Sequence, residues 1–239
     1  MKYIYGPIRS RRLGLSLGVS LTPYKVCSFD CIYCQLGKTT QRTALRKEYV
    51  NTDEALTEIK NWLNANPAEA KKLDYITFSG AGEPTLNINI GKLISGIKEI
   101  SAVPVAILTN SSHLSDPQVR KAIEAADLIV PSLDAAEQDV FERIDAPEKG
   151  IKVAQIIDGL AALRKEFRGK IWLEIMLLKG VNDSPGHIAK LKEALNRIKA
   201  DKVQLNSPVR KTLLQDIYAV EAARLKEIAA ILGDNTELC

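Results

Sequence analysis

The chain has 239 residues, 46% of them hydrophobic and 26% charged, with four cysteines and a formal net charge of +4. This length and composition suit one α/β domain, residues 1–239, and exclude a bilayer-spanning apolar run, a signal-peptide core and a disulfide scaffold. We therefore expect a cytoplasmic protein whose thiols stay reduced.

The positive charge is concentrated at the amino-terminal end of the chain. Residues 1–50 hold nine Lys and Arg against two Asp and Glu, whereas the remainder holds 24 against 27. Within the basic segment 1–14, Arg9, Arg11 and Arg12 precede the first predicted strand and lie close together in sequence. Guanidinium groups suit the binding of carboxylate or phosphate, so these three are candidates to hold an anionic substrate or partner. A solvated basic surface is the alternative.

Segments with β character alternate with segments of helical spacing. The strands are predicted at Leu15–Leu21, Tyr75–Ser79, Val103–Thr109, Leu128–Leu133, Ile171–Leu178 and Val203–Asn206. The helices are predicted at Thr52–Asn64 with Thr52 as its cap, Asn89–Ile100, Asp116–Ala126, Ala135–Arg143, Ile151–Phe167, Ser184–Lys199 and Ala219–Leu232. This alternation predicts a parallel sheet, curled toward a barrel by right-handed crossovers, with a site at the carboxyl ends of the strands.

Three of the four cysteines, Cys27, Cys31 and Cys34, lie within eight residues after the first predicted strand. Three thiolates on one loop can hold three irons of a [4Fe–4S] cluster and leave the fourth iron open to a small molecule. Structural zinc needs four ligands. The candidates for a fourth ligand are Cys239, His113 and His187, all remote in sequence. A non-catalytic iron–sulfur or zinc protein is the alternative class, and Cys239 is expected to be frayed and dispensable.

Polar residues follow the later strands at the same predicted edge. Gly80, Ala81, Gly82 and Glu83 come after the second strand, where glycine lets the backbone approach a ligand and a carboxylate can accept from an ammonium group. The further candidates are Asn110, Ser132, Asp134, Glu174 and Asn206. Asp134 shares a face with Ser132 and could accept from ribose hydroxyls, while Glu174 has apolar neighbours and needs a partner or a raised pKa.

The C-x3-C-x2-C spacing resembles that of the radical S-adenosylmethionine (SAM) enzymes. The resemblance covers nearly the whole chain and is greatest to the small Fe–S oxidoreductase group related to the wybutosine-synthesis enzyme. It rests on Gly6–Gly14, Cys31–Gly37, Gly82–Thr85, Pro131–Ala135, Lys179–Asp183 and Val203–Asn206. It implies a partial (βα)6 barrel, a [4Fe–4S] cluster on Cys27, Cys31 and Cys34, and SAM as the second cofactor.

The same resemblance implies the chemistry and the site. SAM is cleaved reductively to a 5′-deoxyadenosyl radical that abstracts hydrogen from a substrate, with flavodoxin or ferredoxin as the electron donor. The implied SAM contacts are Gly80, Ala81, Gly82 and Glu83 at the methionine part, the backbone of Tyr33 at the adenine, and Asn110, Ser132, Asp134, Glu174 and Asn206 around them. Ala81 departs from the glycine that many members have. The substrate is left open between a small molecule, RNA and a protein, so a tRNA-modifying enzyme and a radical activase are the alternatives.

Overall fold

The computed structural model describes residues 1–10, 12–208 and 217–239. The strands are β1 (Ile4–Ser10), β2 (Gly14–Ser20), β3 (Val26–Cys27), β4 (Gln41–Arg42), β5 (Tyr75–Ser79), β6 (Val105–Thr109), β7 (Leu128–Pro131), β8 (Lys170–Met176), β9 (Lys202–Asn206) and β10 (Thr236–Leu238). The α-helices are α1 (Thr52–Ala65), α2 (Pro67–Ala70), α3 (Ile90–Ile100), α4 (Pro117–Ile123), α5 (Gln138–Asp145), α6 (Val153–Glu166), α7 (Pro185–Ile198) and α8 (Ala222–Leu232). No helix in these described ranges is long and apolar enough to cross a membrane.

Eight strands form one sheet in the order β1-β2-β5-β6-β7-β8-β9-β10. β1 runs antiparallel to β2, and every other neighbouring pair in this sheet is parallel. β3 and β4 form a separate short pair inside the loop that carries the cysteines. The predicted α/β class with a mainly parallel sheet, consistent with a partial barrel, is confirmed.

The sequence pattern misses the two edge strands of the sheet. β1 contains Gly6 and Pro7, and its register with β2 shifts between Tyr5 and Ile8, which is where a residue without an N–H group can be accommodated. Arg9 therefore lies within a strand and does not precede the first one. β10 is three residues long, too short to show alternation.

The start of α1 also differs from the prediction, by one residue. Asn51 is the cap, and its side chain accepts a hydrogen bond from the Glu54 N–H, so Thr52 is the first helical residue. Pro117 lies in the first turn of α4, as predicted, and Asp116 is the cap of this helix.

Alternation along the strands gives the sheet two different faces. On one face, apolar side chains such as Leu17, Ile76 and Phe78 are fully buried in the main core with the helices. On the other face, Leu13, Ala106, Leu128 and Val130 form a small apolar cluster. Toward the carboxyl end of β7 this inner face becomes polar, since Ser132 continues the row of Leu128 and Val130. The inner face therefore has an apolar floor and a polar rim at the carboxyl ends of the strands.

Candidate active site

The predicted site residues line two adjoining cavities at this rim. The first cavity has a volume of about 260 Å³ and is lined by Arg12, Tyr33, Cys34, Gln35, Ser132, Asp134, Glu174, Met176 and Pro208. The second has a volume of about 570 Å³, and its lining includes Tyr5, Cys27, Gly80, Ala81, Gly82, Glu83, Asn110, Ser132 and Glu174. Ser132 and Glu174 belong to both walls, so the cavities meet at the ends of β7 and β8.

The three clustered cysteines are free and half-buried, and each contacts a different polar group. Asn110 Nδ2 lies 3.6 Å from Cys27 Sγ, Cys31 Sγ lies 3.4 Å from Asp145 Oδ1, and Lys25 Nζ donates to Cys34 Sγ at 3.1 Å. Burial raises the pKa of Cys27 to about 12, with Glu83 adding to the rise and Lys25 opposing it. Burial also raises the pKa of Cys31 well above its usual value, and the carboxylate of Asp145 adds to this.

These thiols fit the donor set of a [4Fe–4S] cluster. Cys27 and Cys34 border the two adjoining cavities, so open space lies beside them. Since only thiolates bind iron, the raised pKa values mean that cluster binding displaces protons from the loop. Within the described part of the chain, no three His, Cys, Asp or Glu side chains converge on one metal ion. A cubane cluster takes one thiolate per iron and spaces its ligands more widely than a single metal ion does, so this finding does not bear on the cluster.

The cysteine loop, residues 21–51 between β2 and α1, is anchored on the end of α5. The backbone N–H of Asp30 donates to the carbonyl of Asp145, and that of Ile32 donates to Ile144 at 2.9 Å. Phe29 packs edge-on against Phe141, with ring centroids 5.3 Å apart. These contacts attach the loop that carries the thiols to α5 and to the core.

The glycine-rich turn after β5 packs directly on the cysteine loop. A side chain at Gly82 would place its Cβ 1.9 Å from the carbonyl oxygen of Val26, so this position excludes any larger residue. The N–H of Lys25 donates to the carbonyl of Ala81 at 2.7 Å. Gly80 has a φ of +111°, a backbone conformation that favours glycine. The turn and the cysteine loop are therefore in direct backbone contact beside the second cavity.

Glu83 is buried, and both of its carboxylate oxygens are already bonded within the protein. Oε1 accepts from the Thr85 N–H at 2.9 Å, the Thr85 hydroxyl at 2.6 Å and the Thr109 hydroxyl at 2.7 Å. Oε2 accepts from the Asn110 N–H at 2.7 Å. Burial raises the pKa of this carboxyl although the four hydrogen bonds act to lower it. The structure thus shows Glu83 joining the ends of β5 and β6, a role that the sequence prediction of an ammonium acceptor did not contain.

Asn110 connects the end of β6 to the cysteine loop. Its Nδ2 donates to the Ser28 hydroxyl at 2.9 Å and points toward Cys27, while its Oδ1 accepts from the Ser112 N–H at 3.1 Å. The Ser28 and Ser112 hydroxyls are 2.7 Å apart. This network fixes the orientation of the amide beside the thiol.

Asp134 is a buried residue in the wall of the first cavity, and its carboxylate is bonded to Tyr33 in the same wall. The Tyr33 hydroxyl donates to Asp134 Oδ2, and Oδ1 accepts from the Met176 N–H at 2.7 Å. Burial raises the pKa of Asp134 to about 6 and raises that of neighbouring Asp145 further above its usual range. Ser132 lines both cavities and is more exposed than Asp134, the residue that the sequence analysis expects at the ribose.

Glu174 obtains the partners that its apolar setting demands. The guanidinium of Arg12 pairs with its Oε2, and Asn206 Nδ2 donates to its Oε1 at 2.7 Å. Burial raises the pKa of Glu174, and the Arg12 charge acts against this rise. Arg12 enters from the β1–β2 turn and, of the two predicted arginines that the structure describes, is the one that lies at the site. Arg9 is exposed, and Arg11 lies outside the described residues.

Cys239 is not frayed, contrary to the prediction. It follows β10, is half-buried, and its N–H donates to the carbonyl of Leu205 at 3.2 Å. Burial raises the pKa of its thiol, and the charges of Glu237 and Glu174 add to this rise. The pairing of β10 with β9 holds this residue in place.

Sequence reasoning missed three residues of the site: Lys25, Asp145 and Tyr5. Tyr5 lines the second cavity and shares a hydrogen bond with Ser79, but its strand was not predicted. Lys25 was visible two positions before the first cysteine, which is a usable signal. Asp145 is far from the cysteines in sequence, and no local pattern connects it to them.

Comparison with known proteins agrees with this geometry. The profile of the Radical SAM superfamily matches residues 21–191. A UPF0026 protein of Methanocaldococcus jannaschii is 32% identical over 234 residues, which cover 98% of this chain and 72% of that protein. A Brachyspira hyodysenteriae protein named GTPase Obg is 44% identical over 211 residues; these make up 88% of this chain but 30% of the relative.

Two solved structures show the same fold. A radical SAM methyltransferase from Sphaerobacter thermophilus superposes with a TM-score of 0.69 at 18% identity, covering 94% of this chain and 65% of that one. Archaeal TYW1 superposes with a TM-score of 0.60 at 17% identity, covering 92% of this chain and 72% of that one. With its profile match spanning most of the chain and its thiols, glycine turn and cavities at one rim, the chain belongs to the radical SAM superfamily and is an enzyme that uses a [4Fe–4S] cluster and SAM.

Proposed function

We propose that this chain cleaves SAM reductively and uses the resulting 5′-deoxyadenosyl radical to abstract hydrogen from a substrate bearing an anionic group. The observation that carries the proposal is the position of Cys27 and Cys34 beside two cavities whose shared wall holds Ser132 and Glu174. The donor is a low-potential flavodoxin or ferredoxin, and the reducing cytoplasm, which keeps thiols free for iron, is the proposed location.

In this proposal Cys27, Cys31 and Cys34 hold the cluster, which supplies the electron that breaks the C–S bond of SAM. The backbone of the Gly80–Gly82 turn offers polar groups to the methionine part of SAM, and Glu83 fixes that turn through its bonds to Thr85, Thr109 and Asn110. Ser132 lies where the two cavities meet and is proposed to contact the ribose. Tyr33 lines the first cavity and is proposed to lie against the adenine.

Arg12 and Glu174 are proposed as the substrate end of the site. Their ion pair lies in the wall of the first cavity, with side-chain exposures of 28% and 15%, so both groups are accessible from inside. A substrate carboxylate or phosphate can accept a second hydrogen bond pair from the planar guanidinium while Glu174 still neutralises part of its charge. Water is restricted there because Glu174 is largely buried, which strengthens charge recognition.

The test of SAM cleavage uses anaerobically reconstituted protein with dithionite and SAM, and measures 5′-deoxyadenosine by chromatography. The wild-type protein and Cys239→Ser should form it, whereas Cys31→Ala should not. Full activity of Cys31→Ala would refute the cluster assignment, and no 5′-deoxyadenosine from iron-loaded wild-type protein would refute the reaction.

The substrate end is tested in a deletion strain by metabolite profiling after complementation. Arg12→Met should retain 5′-deoxyadenosine formation in vitro but fail to restore the wild-type profile. Arg12→Lys, which keeps the charge but loses the planar fork, should restore it in part. Arg9→Met is the matched control because Arg9 is exposed, and it should restore the profile completely. Complete restoration by Arg12→Met would refute the role of Arg12.

A further inference from the structure

Lys25 is a buried lysine whose side chain ends on a cysteine sulfur. Its exposed fraction is 3%, and its Nζ donates to Cys34 Sγ at 3.1 Å. Among the described residues, no carboxylate forms a salt bridge with it. A lysine is rarely buried without a paired negative charge, so the sulfur of Cys34 is the group in this structure that accounts for its position.

The backbone holds Lys25 in place from both sides. Its N–H donates to the Ala81 carbonyl at 2.7 Å, and its carbonyl accepts from the N–H groups of Thr40 and Gln41, each at 3.2 Å. Its φ is +57°, in the left-handed region that favours glycine. The backbone conformation therefore does not explain why a lysine stands here, whereas the contact of its side chain with Cys34 does.

A cation that donates a hydrogen bond to a ligand sulfur has a known physical effect on an iron–sulfur cluster. One-electron reduction adds negative charge to the cluster, and a nearby positive charge stabilises the reduced state more than the oxidised one. Hydrogen bonds to the sulfurs and local charge are among the factors that set the cluster potential. Because Lys25 is buried, water screens its charge little, and the effect is larger than that of a surface lysine.

We propose that Lys25 tunes the [4Fe–4S] cluster, raising its reduction potential through its hydrogen bond and charge at Cys34 Sγ. The reaction concerned is the uptake of one electron by the oxidised cluster from a low-potential flavodoxin or ferredoxin. Lys25 makes this uptake easier without itself accepting an electron or a proton. The inference rests on the proposed ligation of the cluster by Cys34.

The experiment is a redox titration of reconstituted protein without SAM, with dithionite and mediators, followed by electron paramagnetic resonance of the reduced cluster. Lys25→Met removes the charge and the donor at similar length, and Lys25→Arg keeps both. Lys38→Met is the matched control, because Lys38 carries the same charge in the same loop but is exposed. Iron and sulfide are measured for every variant, so that potentials are compared between fully loaded proteins.

Lys25→Met should shift the reduction equilibrium at least tenfold toward the oxidised cluster, which corresponds to about 59 mV for one electron. Lys25→Arg should lie close to wild type, and Lys38→Met should be unchanged. A wild-type potential in fully loaded Lys25→Met, or an equal shift in Lys38→Met, would overturn the proposal.

A second neutral variant covers the case in which Lys25→Met does not load iron. Lys25→Gln still donates a hydrogen bond through its amide but has no charge, and it should show a smaller shift in the same direction. Failure of both neutral variants to load iron would overturn the redox role and assign Lys25 to folding of the loop. If wild-type protein itself binds no four-iron cluster, the proposed function fails, and this outcome is distinct from all of the results for Lys25.

Discussion

Replacing Glu83 tests whether its carboxylate is an internal brace or a free ligand for SAM. Two of its four donors, the N–H groups of Thr85 and Asn110, belong to the backbone and cannot turn toward other acceptors. Each buried donor left without a partner costs about 1–3 kcal/mol, so the two backbone donors together should lower the free energy of unfolding of Glu83→Ala by roughly 2–6 kcal/mol. Burial of the carboxylate is itself unfavourable, as its raised pKa indicates, and the Ala variant no longer has this cost. We therefore expect a loss of stability in the lower half of this range.

Glu83→Gln separates the charge from the hydrogen bonds. Its single amide oxygen can occupy the position of Oε1, where three donors meet, which leaves its NH2 group against the Asn110 N–H. One donor is then unsatisfied, and the expected loss is about 1–3 kcal/mol. The ranking wild type, Gln, Ala in decreasing stability is therefore the expected result.

The assay is urea denaturation of the iron-free protein followed by circular dichroism, so that cofactor affinity does not contribute. Glu69→Ala is the control, because Glu69 is exposed and its substitution should leave stability unchanged within error. If Glu83→Ala lost less than about 1 kcal/mol, the carboxylate would not be a brace. The prediction from sequence, an acceptor for the ammonium of SAM, would then be the better account.

Three further results are expected. Gly82→Ala should prevent iron loading, because its Cβ would lie 1.9 Å from a carbonyl oxygen of the cysteine loop. Gly186→Ala is the control, since the space around Gly186 is open, and it should load iron normally. Normal iron content in Gly82→Ala would contradict this prediction. Tyr33→Phe should cost about 1–3 kcal/mol in urea denaturation by leaving Asp134 Oδ2 without its donor, and an unchanged midpoint would argue against the bond. Burial lowers the pKa of His113 from 6.5 to about 4, so the unfolded chain gains a proton there between these pH values before the folded chain does. The contribution of His113 to the free energy of unfolding should therefore fall by up to roughly 3 kcal/mol as pH drops through this window, and the stability difference between wild type and His113→Gln should change by this amount.

Sequence patterns predicted correctly those features that depend on residues close together in the chain. The spacing of Cys27, Cys31 and Cys34 predicted a shared loop, and the alternation of β-rich and helical segments predicted the parallel sheet, because strand and helix periods are readable over a few residues. Polar residues at the ends of β5, β6 and β7 were expected at one edge, and they line adjoining cavities there. The two edge strands were not predicted, because β1 is interrupted by Gly6 and Pro7 and β10 is short.

What each side chain does at that edge was decided by tertiary contacts. The sequence places Glu83 and Asp134 as acidic residues at predicted strand ends. The fold surrounds both with donors from other elements, at Thr109, Asn110, Tyr33 and Met176. The same holds for Arg12 and Glu174, which are 162 positions apart and meet only because the β1–β2 turn reaches β8. Hydrogen bonds and ion pairs are short-range, so their partners depend on which distant segments the sheet brings together, and a one-dimensional pattern carries no record of that.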